Sequence, residues 1–396
     1  MKKLICLLLW LCSSLSFAQL ENVRVSKIAS ISQLPVSAIC SICQDSEGYM
    51  WYGTVDGLCR DDGYSVHVFR SDYLTPGLMD INLVFCISEG RNRQIWFGTQ
   101  KGLYVLDKNT YAIRKVSIPE LQDYPVDRLL VRANGDIWAA CRNYVYELDA
   151  AGKLRHRYQL SSPCVMIYED HQQHLYYASL NGEFYGKNQM APARLIQRKM
   201  PVTGMCEDRK TGGFWLMAGP DIWYYNPKAT NRQACFVKQQ IPAALSGSVF
   251  RQVAQDPHEH YLWALTWDHI YVLRNMGNGR LEQVSTEGIF TPEKKTISGI
   301  TQTRDGNIWI AAFDQYSSVI NFKGSDIQRF SYQPMLNATG YNPAIVTLCK
   351  DEEGWIWYYQ ETNGLFFYHP TQHVTPIKYT QCPAVSQLPL NVVPYL

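Results

Sequence analysis

The sequence has 396 residues, 46% hydrophobic and 18% charged, a composition that fits a folded globular chain and argues against disorder. Lys and Arg number 37 against 35 Asp and Glu, so the net charge is +2 and no basic excess of the kind phosphate neutralisation needs marks a nucleic-acid binder. Tyrosine (26) and tryptophan (11) are plentiful, and large aromatics suit pleated, half-buried strands.

The first segment reads as a secretory signal, residues 1–18. Lys2 and Lys3 give a short positive region, and Leu4 to Cys12 an apolar stretch too short to span a bilayer. Ser16-Phe17-Ala18 is a small-x-small cleavage site, which puts the mature start at Gln19 and the protein in the periplasm. No later stretch reaches the length of a transmembrane helix. Ten cysteines follow the signal, most inside apolar strand patterns such as Ala38-Ile39-Cys40-Ser41-Ile42-Cys43, where a thiol serves as a small hydrophobe. Cys40-x-x-Cys43 lacks a second pair at zinc spacing, so buried free thiols are expected instead of a metal or redox site.

From residue 34 onward the chain repeats itself. Met50-Trp51-Tyr52-Gly53-Thr54 returns as Ile95-Trp96-Phe97-Gly98-Thr99, and then in degraded copies around Trp138, Tyr176, Trp215, Trp263, Trp309 and Trp357. Successive anchors are 45, 42, 38, 39, 48, 46 and 48 residues apart. That is the period of a four-stranded propeller blade and not of the shorter helical repeats. Within the first unit, Ser37–Gln44 is an apolar strand, Asp45-Ser46-Glu47-Gly48 a turn and Tyr49–Thr54 the Trp strand. Val55-Asp56-Gly57 is a tight connection, Leu58–Arg60 a third strand, Asp61-Asp62-Gly63 a turn and Tyr64–Arg70 a fourth strand. The eighth unit follows the same plan, with its strands at 344–349, 355–360, 365–368 and 376–380.

Hairpins of this kind cannot bury their apolar faces alone, and packing sheet on sheet around an axis does so. The fold expected is therefore all-β, a β-propeller of four-stranded blades over residues 22–380. Seven blades plus an eighth repeat is the favoured count, and an eight-bladed ring the alternative. The strand Val23–Ile28 is available to close the ring as a borrowed outer strand. Residues 381–396 resemble the start of a further unit, which suggests a piece of a longer protein.

Leu34-Pro-x-x-x-Ile39, Gln44-Asp45-x-x-Gly48-x-x-Trp51-x-Gly53-Thr54-x-x-Gly57-Leu58 and Asp61-Asp62-Gly63 together resemble the two-component regulator propeller repeat. That repeat fills the periplasmic sensor half of hybrid histidine kinases of bacteroidete bacteria. The resemblance is clear in units one, two and eight and weak in unit four, where Tyr176 replaces Trp. It implies two seven-bladed propellers, a β-sandwich, a transmembrane helix and a cytoplasmic kinase, and detection of glycan fragments. This sequence has no phosphoacceptor or nucleotide-binding segment of a kinase. The partners it implies are an oligosaccharide-like ligand and either a homodimer or a downstream sensor-kinase half. No cofactor, catalytic residue or metal ligand is expected.

In a propeller, the connection after the Trp strand and the one entering the next blade share a face, and concave mouths of that kind hold small ligands. The expected ligand-binding residues there are Asp56, Lys101, Arg142, Arg251, Trp267, Asp268, Asp314 and Tyr316, with Asn82 and Arg128 nearby. An aromatic face beside carboxylates and guanidinium groups suits sugars. His171-x-x-His174 and His258-x-His260 fall in turns, too few for a stable metal site. Asp61-Asp62 and Asp351-Glu352 also occupy turns, where Asp binds the backbone. Two further function classes stay open: a propeller lyase or hydrolase acting on polysaccharide, and a structural or protein-interaction propeller.

Overall fold

The Asp-x-x-Gly-x-x-Trp phrase is a local folding unit. In the first repeat, Asp45 Oδ1 accepts the backbone N–H groups of Glu47 and Tyr49, both at 3.0 Å, which sets the turn. Its Oδ2 accepts Trp51 Nε1 at 2.9 Å. Asp351 does the same to Trp355 N and Trp357 Nε1, each at 2.8 Å, and to Glu353 N. One carboxylate thus caps the hairpin and satisfies the only polar atom of the buried indole side chain. The Gly-Thr-x-x-Gly phrase sets the next turn. Thr54 Oγ1 donates to Gly57 O at 2.9 Å and accepts Asp56 N at 3.1 Å, while Gly57 takes a φ of 117° that side chains rarely adopt.

The structure, a computed structural model, describes residues 23–187, 193–194, 201–229, 235–257, 261–277, 279–284, 296–314, 317–322, 345–351, 353, 355–360, 364–369 and 373–378. The signal segment 1–18, the tail 381–396, Tyr316 and His258-x-His260 lie outside these residues. The regular structure of the described chain is almost entirely strand, arranged as four-stranded antiparallel sheets. It is a β-propeller. Contacts divide it into two compact units, Met1–Gly324 and Ser325–Leu396, so the expected span 22–380 is shared between them.

In the first unit, blade 1 runs Ile39–Gln44, Met50–Thr54, Gly57–Asp61 and Val66–Phe69, in that order from the inside outward. The inner strands of the next six sheets are Val84–Glu89, Arg128–Val131, Cys164–Glu169, Gly204–Asp208, Gln252–Gln255 and Ile297–Gln302. Each touches the inner strand of the sheet that follows, and the seventh touches the first. The seventh sheet has three strands from its own repeat, the outermost being Ser318–Asn321. Its fourth is Arg24–Lys27, from the start of the described chain, paired antiparallel from Arg24 opposite Asn321 to Lys27 opposite Ser318. Thr301 Oγ1 to Ile42 O at 3.0 Å and Arg304 N to Gln44 Oε1 at 2.9 Å join the seventh sheet to the first.

The Trp strands are buried on both faces because a sheet packs on either side. Trp51 is fully buried with Phe69, Met79, Val84, Ile95 and Phe97, which come from the first two blades. Trp96, Trp138, Trp215 and Trp263 are buried in the same manner, and truncating any one to Ala would cost about 3–5 kcal/mol. The glycine of the Trp strand admits the neighbour: a Cβ on Gly53 would lie 2.9 Å from Val84 O, where the second inner strand begins.

The second unit holds one four-stranded sheet: Ile345–Lys350, Ile356–Gln360, Gly364–His369 and His373–Lys378. Its outer strand starts three residues before the position expected from the sequence, because pairing with Gly364–His369 extends through His373 opposite His369, across a register shift.

Candidate functional site: the axial channel and its two ends

Seven inner strands standing edge-on to an axis leave a channel between them. A cavity of about 530 Å³ occupies it, lined by the inner strands of blades 4, 5 and 6 with Arg128 of blade 3 and Ile300 and Gln302 of blade 7. Its wall runs from the ends where inner strands begin (Arg128, Thr203, Gln252) to those where they turn back (Glu169, His171, Arg209).

At the beginning end lies the mouth expected from the sequence. Asp56 is held by Arg70 Nη1 at 2.6 Å and Asn82 Nδ2 at 3.1 Å, so it fastens blade 1 to the chain entering blade 2. Lys101 is exposed at the tip of the equivalent turn of blade 2. Arg142, at a φ of 54°, stacks on Tyr124 with 4.4 Å from guanidinium carbon to ring centroid. Asp268 accepts Thr266 Oγ1 and pairs with His269 Nδ1, each at 3.0 Å, and the His269 hydrogen bond holds its carboxyl below the usual range. Asp314 accepts Thr296 N at 3.3 Å. The structure brings two of the expected residues together: the Arg251 guanidinium lies 3.3 Å from the centroid of Trp267, a ring left 55% exposed. None of the seven expected residues that are described lines the cavity itself, whose charged lining residue at this end is Arg128.

The other end carries a pattern that the sequence reading missed. Gln44, Glu89, Glu169, Glu207, Gln255 and Gln302 each pair, across the inner hairpin, with the residue preceding the aromatic anchor; in blade 3 that place is taken by Val131. Three of them fasten blade to blade by accepting the N–H just past the preceding inner strand. Glu89 takes Ser46 N at 2.7 Å, Glu169 takes Ala133 N at 3.1 Å and Glu207 takes His171 N at 3.1 Å. Glu169 is also held by Arg132 Nε at 2.7 Å. The signal was available, a Glu or Gln seven or eight residues before the anchor. It was passed over because single polar residues in apolar strands look incidental. His171 Nδ1 pairs with Glu207 and His174 Nδ1 with Asp170 at 3.0 Å, so both histidines bind carboxylates of the hairpins. Among the described residues no group of three or more His, Cys, Asp or Glu is arranged to hold a metal ion. Nine described cysteines are free thiols, and burial pushes Cys43, Cys59, Cys86 and Cys164 up to about 12.

Residues 33–56 match the family described as Two component regulator propeller. The match covers one repeat, at the start of blade 1. The fold of the chain is similar to the extracellular domain of a hybrid two component system from B. thetaiotaomicron, at 18% identity and a TM-score of 0.59 over 87% of this chain and 48% of that one. A second such domain from the same organism gives 19% and 0.59 over 90% of this chain and 47% of that one. The chain thus spans about half the length of the extracellular domains it matches. It is also similar to a catalytically inactive virginiamycin B lyase from Staphylococcus aureus solved with quinupristin, at 14% identity and a TM-score of 0.58 over 75% of this chain and 98% of that one. Among curated proteins none matches the chain. At these identities the structural likenesses establish the fold.

Proposed function

We propose that this chain is the ligand-sensing propeller of a two-component signalling system, exported to the periplasm, where it binds a carbohydrate fragment and passes on its occupancy. The observation that carries the reading is the two component regulator propeller repeat at residues 33–56, lying in a ring of like sheets. The axial cavity supports it: about 530 Å³ is the size of a small-ligand site, and its wall mixes apolar strand edges with Gln252, Gln255, Gln302 and Glu169. Amides and carboxylates at fixed positions match sugar hydroxyls, which both donate and accept. The exposed ring of Trp267 offers a flat surface for the C–H face of a sugar.

The expected contacts are those of the mouth, with Arg251, Trp267 and Asp268 nearest one another and Lys101, Arg142 and Asp314 on the rim. Calorimetric titration of the purified chain with a broad panel of neutral and acidic oligosaccharides tests the reading. Saturable heat with at least one fragment, lowered by Trp267→Ala, is expected. Silence across the panel, or release of shortened products from a polysaccharide, would remove the sensor assignment, the second in favour of an enzyme.

A further inference from the structure

The mouth of the channel carries two cations that have no ion-pair partner among the described residues. Arg128 stands at the start of the blade 3 inner strand, and Arg251 immediately precedes that of blade 6. Both are half-buried, and both reach sideways to the inner strand of the following blade: Arg128 Nε donates to Val165 O at 2.9 Å, and Arg251 Nη1 to Ile297 O at 3.0 Å. Arg128 Nη1 donates to its neighbour's carbonyl, Asp127 O, at 2.7 Å. Neither guanidinium forms an ion pair among the described residues. The acid beside Arg128 in the chain is Asp127, which is half-buried and forms no ion pair with it; burial raises its carboxyl pKa more than the Arg128 charge lowers it. Across the mouth the two arginines sense each other. Burial first, and then the Arg128 charge, bring Arg251 down to about 10.

Half-burying two like charges without an ion pair is unfavourable, and a guanidinium leaves several N–H donors unused after one or two bonds to carbonyls. The arrangement is complete once an anion enters, because carboxylate and sulfate oxygens match the guanidinium fork. Trp267, over whose ring the Arg251 guanidinium carbon lies, holds that fork in place and presents an aromatic surface beside it. Resting on the reading of the propeller as a sugar sensor, we infer that Arg128 and Arg251 form an anion site at the mouth of the channel, and that the ligand is an acidic sugar chain bearing a carboxylate or sulfate ester.

The test uses the whole chain and four probes: sodium sulfate, a galacturonate trimer, a sulfated disaccharide and a neutral glucose trimer, each titrated by calorimetry at low and at moderate salt. At least one acidic sugar should bind and weaken as salt rises, while the neutral trimer binds at least tenfold more weakly. Arg251→Gln and Arg128→Gln should each weaken the acidic sugar roughly tenfold or more, and Arg251→Lys should restore only part, since it keeps the charge and loses the fork. Arg155→Gln, on the outer strand of blade 3, serves as the control, and thermal melts verify that every variant is folded. Should Arg128→Gln not fold, Arg251→Gln and Arg251→Lys decide alone. If neutral and acidic sugars bind alike and Arg251→Gln changes neither, the anion site is wrong and the sensor reading stands. If sulfate binds in an Arg251-dependent manner and no sugar does, the anion site stands and the carbohydrate reading falls. If nothing binds, both fall.

Discussion

Replacing Lys108 by methionine should destabilise the propeller by about 3 kcal/mol or more. Lys108 lies in the last turn of blade 2 with its side chain 3% exposed. Its ammonium sits 2.8 Å from Glu89 Oε1, 3.1 Å from Asp45 Oδ2 and 3.2 Å from Glu47 Oε1. Three N–H donors thus meet three carboxylates, one from its own blade and two from blade 1. Methionine preserves the bulk of the stem and deletes the charge, and removing one partner of a buried ionic cluster costs about 3–5 kcal/mol. The lower end is expected, because Arg93 stays 2.8 Å from Glu47 and Arg304 stays 3.6 Å from Glu89. Urea unfolding followed by tryptophan fluorescence is the assay, since Trp51 hangs on the same Asp45. Lys115→Met, which breaks the solvent-facing pair with Asp80, is the comparison and should cost less than about 1 kcal/mol.

The same cluster sets a pH dependence. Burial pulls the Lys108 pKa down, but the hydrogen bonds and charges of Glu89 and Asp45 outweigh it, and the net position is above the ordinary 10.5. A lysine whose pKa is raised on folding contributes stability that is fully present below the unfolded value and is lost as pH rises through the folded one. The deficit of Lys108→Met relative to the native chain should therefore be constant at neutral pH and shrink above about 10.5. A loss within 1 kcal/mol of native at neutral pH, or one no larger than that of Lys115→Met, would refute the account of a buried bridge between blades.

Gly98→Ala should cost about 2–3 kcal/mol, because the added Cβ would overlap Val126 O and lie 2.6 Å from Cys86 Sγ; a thermal melt near native would contradict the close approach. Ile28→Ala should lower stability by about 2–4 kcal/mol, since Ile28 is 2% exposed beside the strand that closes the seventh sheet; amide exchange in Ser318–Asn321 should quicken at the same time. Cys164 is fully buried with its pKa pushed up to about 12, so only about one thiol in 10⁴ is ionised at pH 8. Iodoacetamide should leave it unlabelled in the native chain and label it in urea; rapid native labelling would contradict its burial.

The repeat made the blades legible because each phrase acts locally. Asp45 ties its own turn to Trp51, and Thr54 ties its own turn to Gly57, so a motif of a few residues carries its structure wherever it stands. Trp96 and Trp215 could be read as core for the same reason: their spacing is that of the sheets between which they lie. The candidate mouth was only partly legible. Loop positions identified the face bearing Arg251 and Trp267, yet nothing in the sequence says that these two stack, or that Asp56 is occupied by Arg70 and Asn82. The Glu and Gln latches were present at a fixed distance from the anchors, but their meaning needs the neighbouring blade.

What the sequence alone determined is thus the content of a blade: strand, turn, buried aromatic, strand. Period and local hydrogen bonds are properties of neighbouring residues, and they are written in order along the chain. Tertiary structure alone decided how the blades meet. It set Arg24–Lys27 beside Ser318–Asn321, placed Lys108 among acids of two blades, and left Arg128 and Arg251 without an ion pair among the described residues at one mouth. Those pairings join residues tens to hundreds of positions apart, and closing the ring is the physical event that gives them their partners.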